Sequence, residues 1–220
     1  MIDTRDLVAQ RMKAEQRAHL LREIIETVLL TALIFLVVHI TVQAFRVQGP
    51  SMEPGLHTDQ LLLVNATANW FGGPQRGDII VFHEHHMRTN PDDLRNGCKV
   101  DANTGGQFMT CDLVKRVIAM PGDTIQITAT QVIVDGVVLS EPYINVRPGE
   151  TQTNTIIQPT KLKTNEYFAM GDNRLDSLDS RDYGPVNRSN IVGRVVMVFY
   201  PFNQAHWLPN YSSVYAHLKP

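Results

Sequence analysis

Cysteine is nearly absent. Cys98 and Cys111 are the only two in 220 residues, and no Cys/His pair at finger spacing accompanies them, which excludes a structural zinc module. Charge of one sign is also missing: the formal net charge is −2, so nothing electrostatic argues for nucleic acid as a partner. There is no internal repeat, no low-complexity linker and, beyond the N-terminal region, no long amphipathic helix, so helical arrays and bundles are excluded. Nor is there a Gly-x-Ser-x-Gly elbow, because after Gly49 and Ser51 position 53 is glutamate and Gly55 is displaced by one. The length suits one medium domain plus an anchor.

What the chain does have is one long apolar run. Residues 1–23 carry Arg5, Arg11, Lys13, Arg17 and Arg22 among Asp3, Asp6, Glu15 and Glu23, and read as a cytoplasmic segment, a juxtamembrane helix or a flexible tail. Residues 24–45 are nearly all apolar, interrupted by Glu26, three threonines, His39 and Gln43. As a helix the run rises about 33 Å, enough to cross a hydrocarbon core of about 30 Å. Five Lys/Arg precede it, while only Arg46 occurs in the next thirty residues, so the N-terminus is expected inside and residues 46–220 outside. A cleaved leader would be shorter and end in small residues, whereas this run ends in Val42-Gln43-Ala44-Phe45. A buried core helix of this length would not explain the charge asymmetry. Glu26 sits near the inner boundary, and His39 is expected as a neutral, solvated or helix-facing imidazole.

Past Phe45 the texture changes to short β-type runs between turn residues. Strands are expected at 60–64, 78–82, 113–118, 124–128, 131–134, 166–170 and 191–200, with Asp135-Gly136 as a two-residue hairpin turn before Val137-Val138-Leu139. The class is therefore mainly β: an all-β domain, a partly closed barrel or a pair of sheets, behind one N-terminal transmembrane helix. Residues 83–112 interrupt the pattern with His83-Glu84-His85-His86, Pro91, Asp92, Asp93 and Gly105-Gly106, and read as a surface insertion. Both cysteines fall inside it. Outside a membrane a disulfide stapling this loop is physically sensible and worth about 3 kcal/mol, the alternative being two unpaired thiols. The histidine cluster offers metal-ligand chemistry, but adjacent histidines point in different directions; no metal site and no cofactor are expected.

Ser51, in Gly49-Pro50-Ser51-Met52-Glu53-Pro54, is a candidate nucleophile, and a hydroxyl needs a base. His57 is close in sequence, but a neighbour on the same loop rarely points back at the nucleophile. Lysine serves where burial disfavours its charged form. Lys115 lies in Leu113-Val114-Lys115-Arg116-Val117-Ile118, where strand alternation sends Leu113, Lys115 and Val117 to one face. Strand context by itself favours a lysine paired to an acid on a sheet surface.

Four segments together carry a family resemblance. Val47 to Pro54 resembles the nucleophile segment of type I signal peptidases, the bacterial leader peptidases of family S26. Arg76-Gly77-Asp78-Ile79-Ile80-Val81-Phe82 resembles their Gly-Asp strand. Lys115 to Asp123 resembles their general-base segment, and Gly171-Asp172-Asn173-Arg174-Leu175-Asp176-Ser177-Leu178-Asp179-Ser180-Arg181 their last box. The likeness covers roughly residues 24–200 without the insertion. It implies Ser51 as nucleophile, Lys115 as neutral general base, and Ser177 as the hydroxyl that orients Lys115. It also implies structural pairs Asp172–Arg116 and Asp179–Arg181. The Ser51 N–H would serve the oxyanion; many relatives add a hydroxyl two residues earlier, where this chain has Gly49.

The implied substrate ends in a small-x-small pattern before the cut. By resemblance Val47, Met52, Leu56 and Leu113 line the pocket next to the cut, and Phe45 and Val114 the one two residues further back; core packing is the bland alternative. An extended substrate could add strands beside 45–49 and 113–115. Trp70-Phe71 would dip into the lipid or cap the barrel. The implied protein is a single-pass serine endopeptidase of the bacterial cytoplasmic membrane. Its partners are signal-peptide-bearing preproteins and the bilayer, near the secretion translocon, with no nucleic acid. Two other classes compete. A self-cleaving Ser/Lys repressor needs a DNA-binding helical domain and no membrane span. A catalytically silent anchored module would not need Ser51, Lys115 and Ser177.

Overall fold

The computed structural model describes residues 4–70, 72–87, 98–102, 108–147, 149–209 and 211–218. The chain divides into two units, a helical one to Thr41 and a β-rich one from Val42.

The first unit is one helix, α1 (Thr4–Thr41). Its stretch His19–Thr41, 23 residues with a mean hydropathy of 2.3 over its most apolar 18, is long and apolar enough to cross a membrane, and none of that window is buried. The threonines that interrupt the run cost little, because Thr27, Thr31 and Thr41 donate their hydroxyls to carbonyls four residues back. The polar residues from Thr4 onward are helical, one of the two expected states, and continuous with the apolar run. One expectation is corrected: the helix stops at Thr41 rather than Phe45. Val42–Arg46 form strand β1 instead, paired antiparallel with β2 (Leu61–Asn65) from Val42↔Asn65 to Arg46↔Leu61. The unpaired edge of β2 supplies backbone partners there, so a ladder replaces the last helical turn.

The second unit contains β3 (Ile79–Met87), β4 (Lys99–Val100), β5 (Phe108–Ala119), β6 (Thr124–Ile127), β7 (Val132–Val134), β8 (Val137–Val138) and β9 (Ile157–Lys161). It continues with β10 (Glu166–Met170), helix α2 (Ser180–Tyr183), β11 (Val186–Asn187), β12 (Ile191–Tyr200) and β13 (His206–Trp207). One sheet runs β1-β2-β12-β3-β5-β10-β11, with β13 on β12 and β4 on β5; a smaller one runs β8-β7-β6-β9. Two sheets, not a closed barrel, are the architecture. Alternation fixes the burial: Leu62 and Val64 of β2 are fully enclosed while Leu61 and Leu63 are not. The β7–β8 hairpin turns on Asp135 (φ 48°) and Gly136 (φ 79°), both left-handed, as a tight two-residue turn requires.

Among the described residues, three apolar clusters hold the unit. One lies between the sheets around Ile118, Ile125, Ile127, Val134 and Phe168. The other two flank the large sheet, one on Leu62, Val64, Val81 and Val198, the other on Ile80, Phe82, Val117 and Tyr167. β9 has no counterpart among the expected strands, since Gln158, Pro159 and Thr160 carry no strand pattern, and residues 83–112 differ from the expected surface excursion. Both arms of that insertion are sheet: β3 and β5 stay in register from Ile79↔Arg116 out to Met87↔Phe108. Mutual pairing satisfies their polar backbones, so the hairpin tolerates histidine, glutamate and aspartate on its outer half. His83 and Asp112 pair across it at 2.7 Å, and His85 bonds Thr110 at 3.0 Å.

Cys98 and Cys111 are disulfide-linked, tying the start of β4 to β5 four residues from Lys115. Non-reducing peptide mapping should recover that linked pair. A Cys98→Ser/Cys111→Ser variant is expected to lose about 3 kcal/mol in denaturant unfolding; free thiols in the native chain would contradict the bond.

Candidate active site

The site begins with a strand lysine that has nowhere to put its charge. Lys115 pairs in register with Ile80 of β3 and shares its face with Leu113 and Val117, so its stem is enclosed and the residue is 3% exposed. Its Nζ makes one hydrogen bond among the described residues, to Ser51 Oγ at 2.7 Å. Burial is the main force on its proton, pushing the amine down from 10.5 to about 8; Asp179 and Asp172 pull it up and Arg181 pushes it down.

Ser51 lies on a loop closed at its base by Val47 N–H to Gln60 O (2.8 Å) and Asp59 N–H to Val47 O (3.0 Å). Within it Glu53 N–H bonds Pro50 O and Leu56 N–H bonds Met52 O. Met52 and Leu56 are buried, pinning the loop to the core. The loop docks on the segment after β10: Asn173 N–H donates to Ser51 O at 3.1 Å, and Asn173 Nδ2 to Pro50 O at 3.3 Å. The approach is close enough that a Cβ on Gly171 would meet Ser51 O at 2.5 Å and Ser177 Oγ at 2.2 Å, so only glycine fits.

The segment 171–181 is held by three buried acid–arginine pairs. Arg116 forks Asp172 at 2.8 and 2.6 Å and donates to Gly77 O. Arg181 forks Asp179 at 2.8 and 2.7 Å and donates to Arg174 O. Arg174 forks Glu141, bonds Gln152 at 2.8 Å and Gly171 O at 3.1 Å. Burial pushes the Asp179 carboxyl up, but Arg181, the Gly171 N–H and the Ser177 hydroxyl outweigh it and hold it below the usual carboxylate range. Asp179 also caps α2 with Asp182 in a capping box.

Ser51, Lys115, Asp172, Arg116, Asp179 and Arg181 are thus brought together. Ser177 joins them differently from the expected contact. Its hydroxyl donates to Asp179 Oδ2 at 2.7 Å, a charge-assisted bond, and makes no bond to Lys115. His57 stands beside Glu53 at 3.6 Å, away from any bond with Ser51. Phe45, Val47, Met52, Leu56 and Val114 pack in one cluster. Leu113 is separated from them: strand alternation turns it to the opposite face, with Phe82 and Ile80. Gly49 has open space where a side chain would begin. Trp70 is exposed, and its expected companion Phe71 lies outside the described residues. Glu141 and Gln152 carried no local signal; only the burial of Arg174 reveals them. A cavity of about 240 Å³ lies between Pro54 and Gly55 of the serine loop and Leu208, Pro209 and Tyr211, and neither Ser51 nor Lys115 lines it.

The geometry at Ser51 is an alcohol bonded to a shielded amine, with no imidazole bonded to it among the described residues. The signal peptidase, peptidase S26 family matches residues 20–200. Signal peptidase I U of Bacillus subtilis is 32% identical over 82% of this chain and 88% of its own length. Signal peptidase I of Leptolyngbya laminosa is 35% identical over 74% and 70% respectively. A solved signal peptidase I from Enterococcus faecalis, 30% identical, covers 55% of this chain and 95% of its own with a TM-score of 0.37. The chain belongs to the signal peptidase S26 family; it is a type I signal peptidase, a serine protease that removes signal peptides from preproteins.

The depressed amine sets a stability test. Because the folded pKa of Lys115 lies below its unfolded 10.5, burial costs stability fully below about pH 8, and the cost fades as pH rises toward 10.5. Lys115→Met should therefore stabilise the fold at pH 7 by about 3 kcal/mol, with the gain shrinking above pH 8. Chemical denaturation across that range checks it; a pH-independent difference would contradict the shielded amine.

Proposed function

We propose that Ser51 is the nucleophile and neutral Lys115 the general base of signal-peptide cleavage after a small-x-small motif. The observation that carries this reading is the 2.7 Å bond between Lys115 Nζ and Ser51 Oγ in a buried setting. Lys115 takes the Ser51 proton as the alcohol attacks the scissile carbonyl. The resulting ammonium delivers that proton to the leaving amine, and water then hydrolyses the acyl-enzyme. The Ser51 N–H is one oxyanion donor. Asp172, Arg116, Asp179 and Arg181 act as supports, and Ser177 steadies Asp179, whose field acts on the amine. Phe45, Val47 and Val114 shape the substrate side, Met52 and Leu56 seat the loop, and Gly49 leaves room beside it.

The stretch His19–Thr41 anchors the chain in the cytoplasmic membrane with residues 46–220 outside. The supports are its apolar composition and the Lys/Arg excess before it. The cut is made close to the bilayer, where translocated precursors emerge. Exposed Trp70 suits the lipid interface.

Full-length chain in detergent micelles, given a preprotein with an Ala-x-Ala site, should release a mature product whose new N-terminus follows that site. Ser51→Ala and Lys115→Ala should each lower turnover by at least about 10³-fold while the domain stays folded. Near-normal turnover in either would overturn the assignment. With the amine titrating at about 8, kcat/KM should rise about tenfold per pH unit below that value and level off above it. A profile flat from pH 6 to 9 would exclude this base.

A further inference from the structure

The family match ends at residue 200, yet the chain beyond it returns to the catalytic strand. β13 pairs with β12, and Leu208 N–H bonds Val196 O at 3.1 Å, which directs the following residues back across the sheet. Tyr215 and Leu218 then enter the core between the sheets, beside Ile118 of β5. The landing place is Arg116, the residue next to Lys115. Its guanidinium carbon lies 4.2 Å from the centroid of the Tyr143 ring and 5.1 Å from that of Tyr211. The two rings meet at 5.2 Å. Tyr215 comes so close to Gly77, whose carbonyl accepts from Arg116, that a Cβ there would meet its ring at 3.1 Å. Its hydroxyl meets that of Tyr143 at 2.8 Å, and Tyr143 donates to Glu141, the partner of Arg174.

A guanidinium flanked by aromatic rings keeps its charge without water, and a drier surround strengthens its fork with Asp172. Asp172 in turn underlies the serine loop: its Oδ2 is 3.6 Å from where a Cβ on Gly55 would stand, and its neighbour Asn173 holds Ser51 O. We propose that residues 206–209 and 211–218 brace the catalytic strand, with Tyr211 and Tyr215 as positioning residues. They act through Arg116 and Asp172 on the seating of Ser51 against Lys115. This deepens the proposed reading of the same site and rests on it. The ring of Tyr211 is what the brace uses, whereas Tyr215 contributes its hydroxyl link to Tyr143.

The test uses full-length chain in detergent, with Tyr211→Leu, Tyr211→Phe and Tyr215→Phe. On the preprotein substrate, Tyr211→Leu should lower kcat about fivefold to tenfold with KM unchanged, and Tyr211→Phe should restore it. Tyr215→Phe, which keeps the packing and removes one hydrogen bond, should lower kcat about threefold and keeps the proposal testable if the leucine variant does not fold. The Arg116 Nε–H resonance, followed in a Ser51→Ala background, should move with leucine and stay with phenylalanine at 211. The proposal is overturned by unchanged kcat in Tyr211→Leu or Tyr215→Phe, by equal losses with leucine and phenylalanine, or by an unmoved Arg116 signal. If the parent chain fails to cut the preprotein, the functional reading falls, while the Arg116 signal still decides the brace.

Discussion

A lysine proposed to take a proton from serine must first give up its own, and burial is what loosens that proton at Lys115. Asp172 and Asp179 raise the affinity of the amine for a proton, and both are buried. Left unpaired, either would turn Lys115 into half of an ordinary ion pair. Each is instead forked by an arginine, and a third acid, Glu141, by Arg174. A guanidinium stays charged at any physiological pH and offers a planar fork that suits a carboxylate, so it takes up the acid and leaves the amine with the alcohol. Burial beside an apolar strand thus lowers the amine's hold on its proton, and the arginine forks keep the neighbouring acids engaged with partners of their own.

The same pairs do the mechanical work. Breaking a buried pair strands an uncompensated charge at a cost of about 3–5 kcal/mol, so the segment 171–181 has few alternative shapes. That stiffness matters because the serine loop has no rigid element of its own. It is seated by Met52 and Leu56 below and by the Asn173 contacts alongside. Glycine at 171 lets the two backbones come together, and the absence of a side chain there is as much a part of the site as the serine. Ser177 belongs to this framework through Asp179 rather than touching the amine.

Much of this was legible in the residues, and what was not has a pattern. Strands at Glu166–Met170 and Ile191–Tyr200 fell where the apolar runs put them, since both faces or alternate positions are buried. β1 was hidden by the apolar run it follows, because period alone does not tell the end of a helix from a strand of similar composition. The outer arms of β3 and β5 read as loop because their side chains are polar, although cross-strand hydrogen bonds do not depend on side-chain polarity. Leu113 was grouped with Val47 and Met52 by resemblance, while strand alternation, applied to the same residues, sends it with Lys115 to the other face.

What the amino-acid order offered by itself was chemical: a candidate serine, a candidate lysine and one helix apolar enough for a membrane. The choice of that lysine, and of the acids and arginines around it, came from the resemblance of four segments to the signal peptidases. What only the tertiary structure decided was partnership at long range. Glu141 and Gln152 close on Arg174, Ser177 turns to Asp179, and Tyr211 and Tyr215 come back to Arg116. Such contacts depend on how two sheets stack and where a tail crosses them, and no local propensity encodes that. A buried charge takes whichever partner the packing brings within 3 Å of it, which is settled only when the core closes.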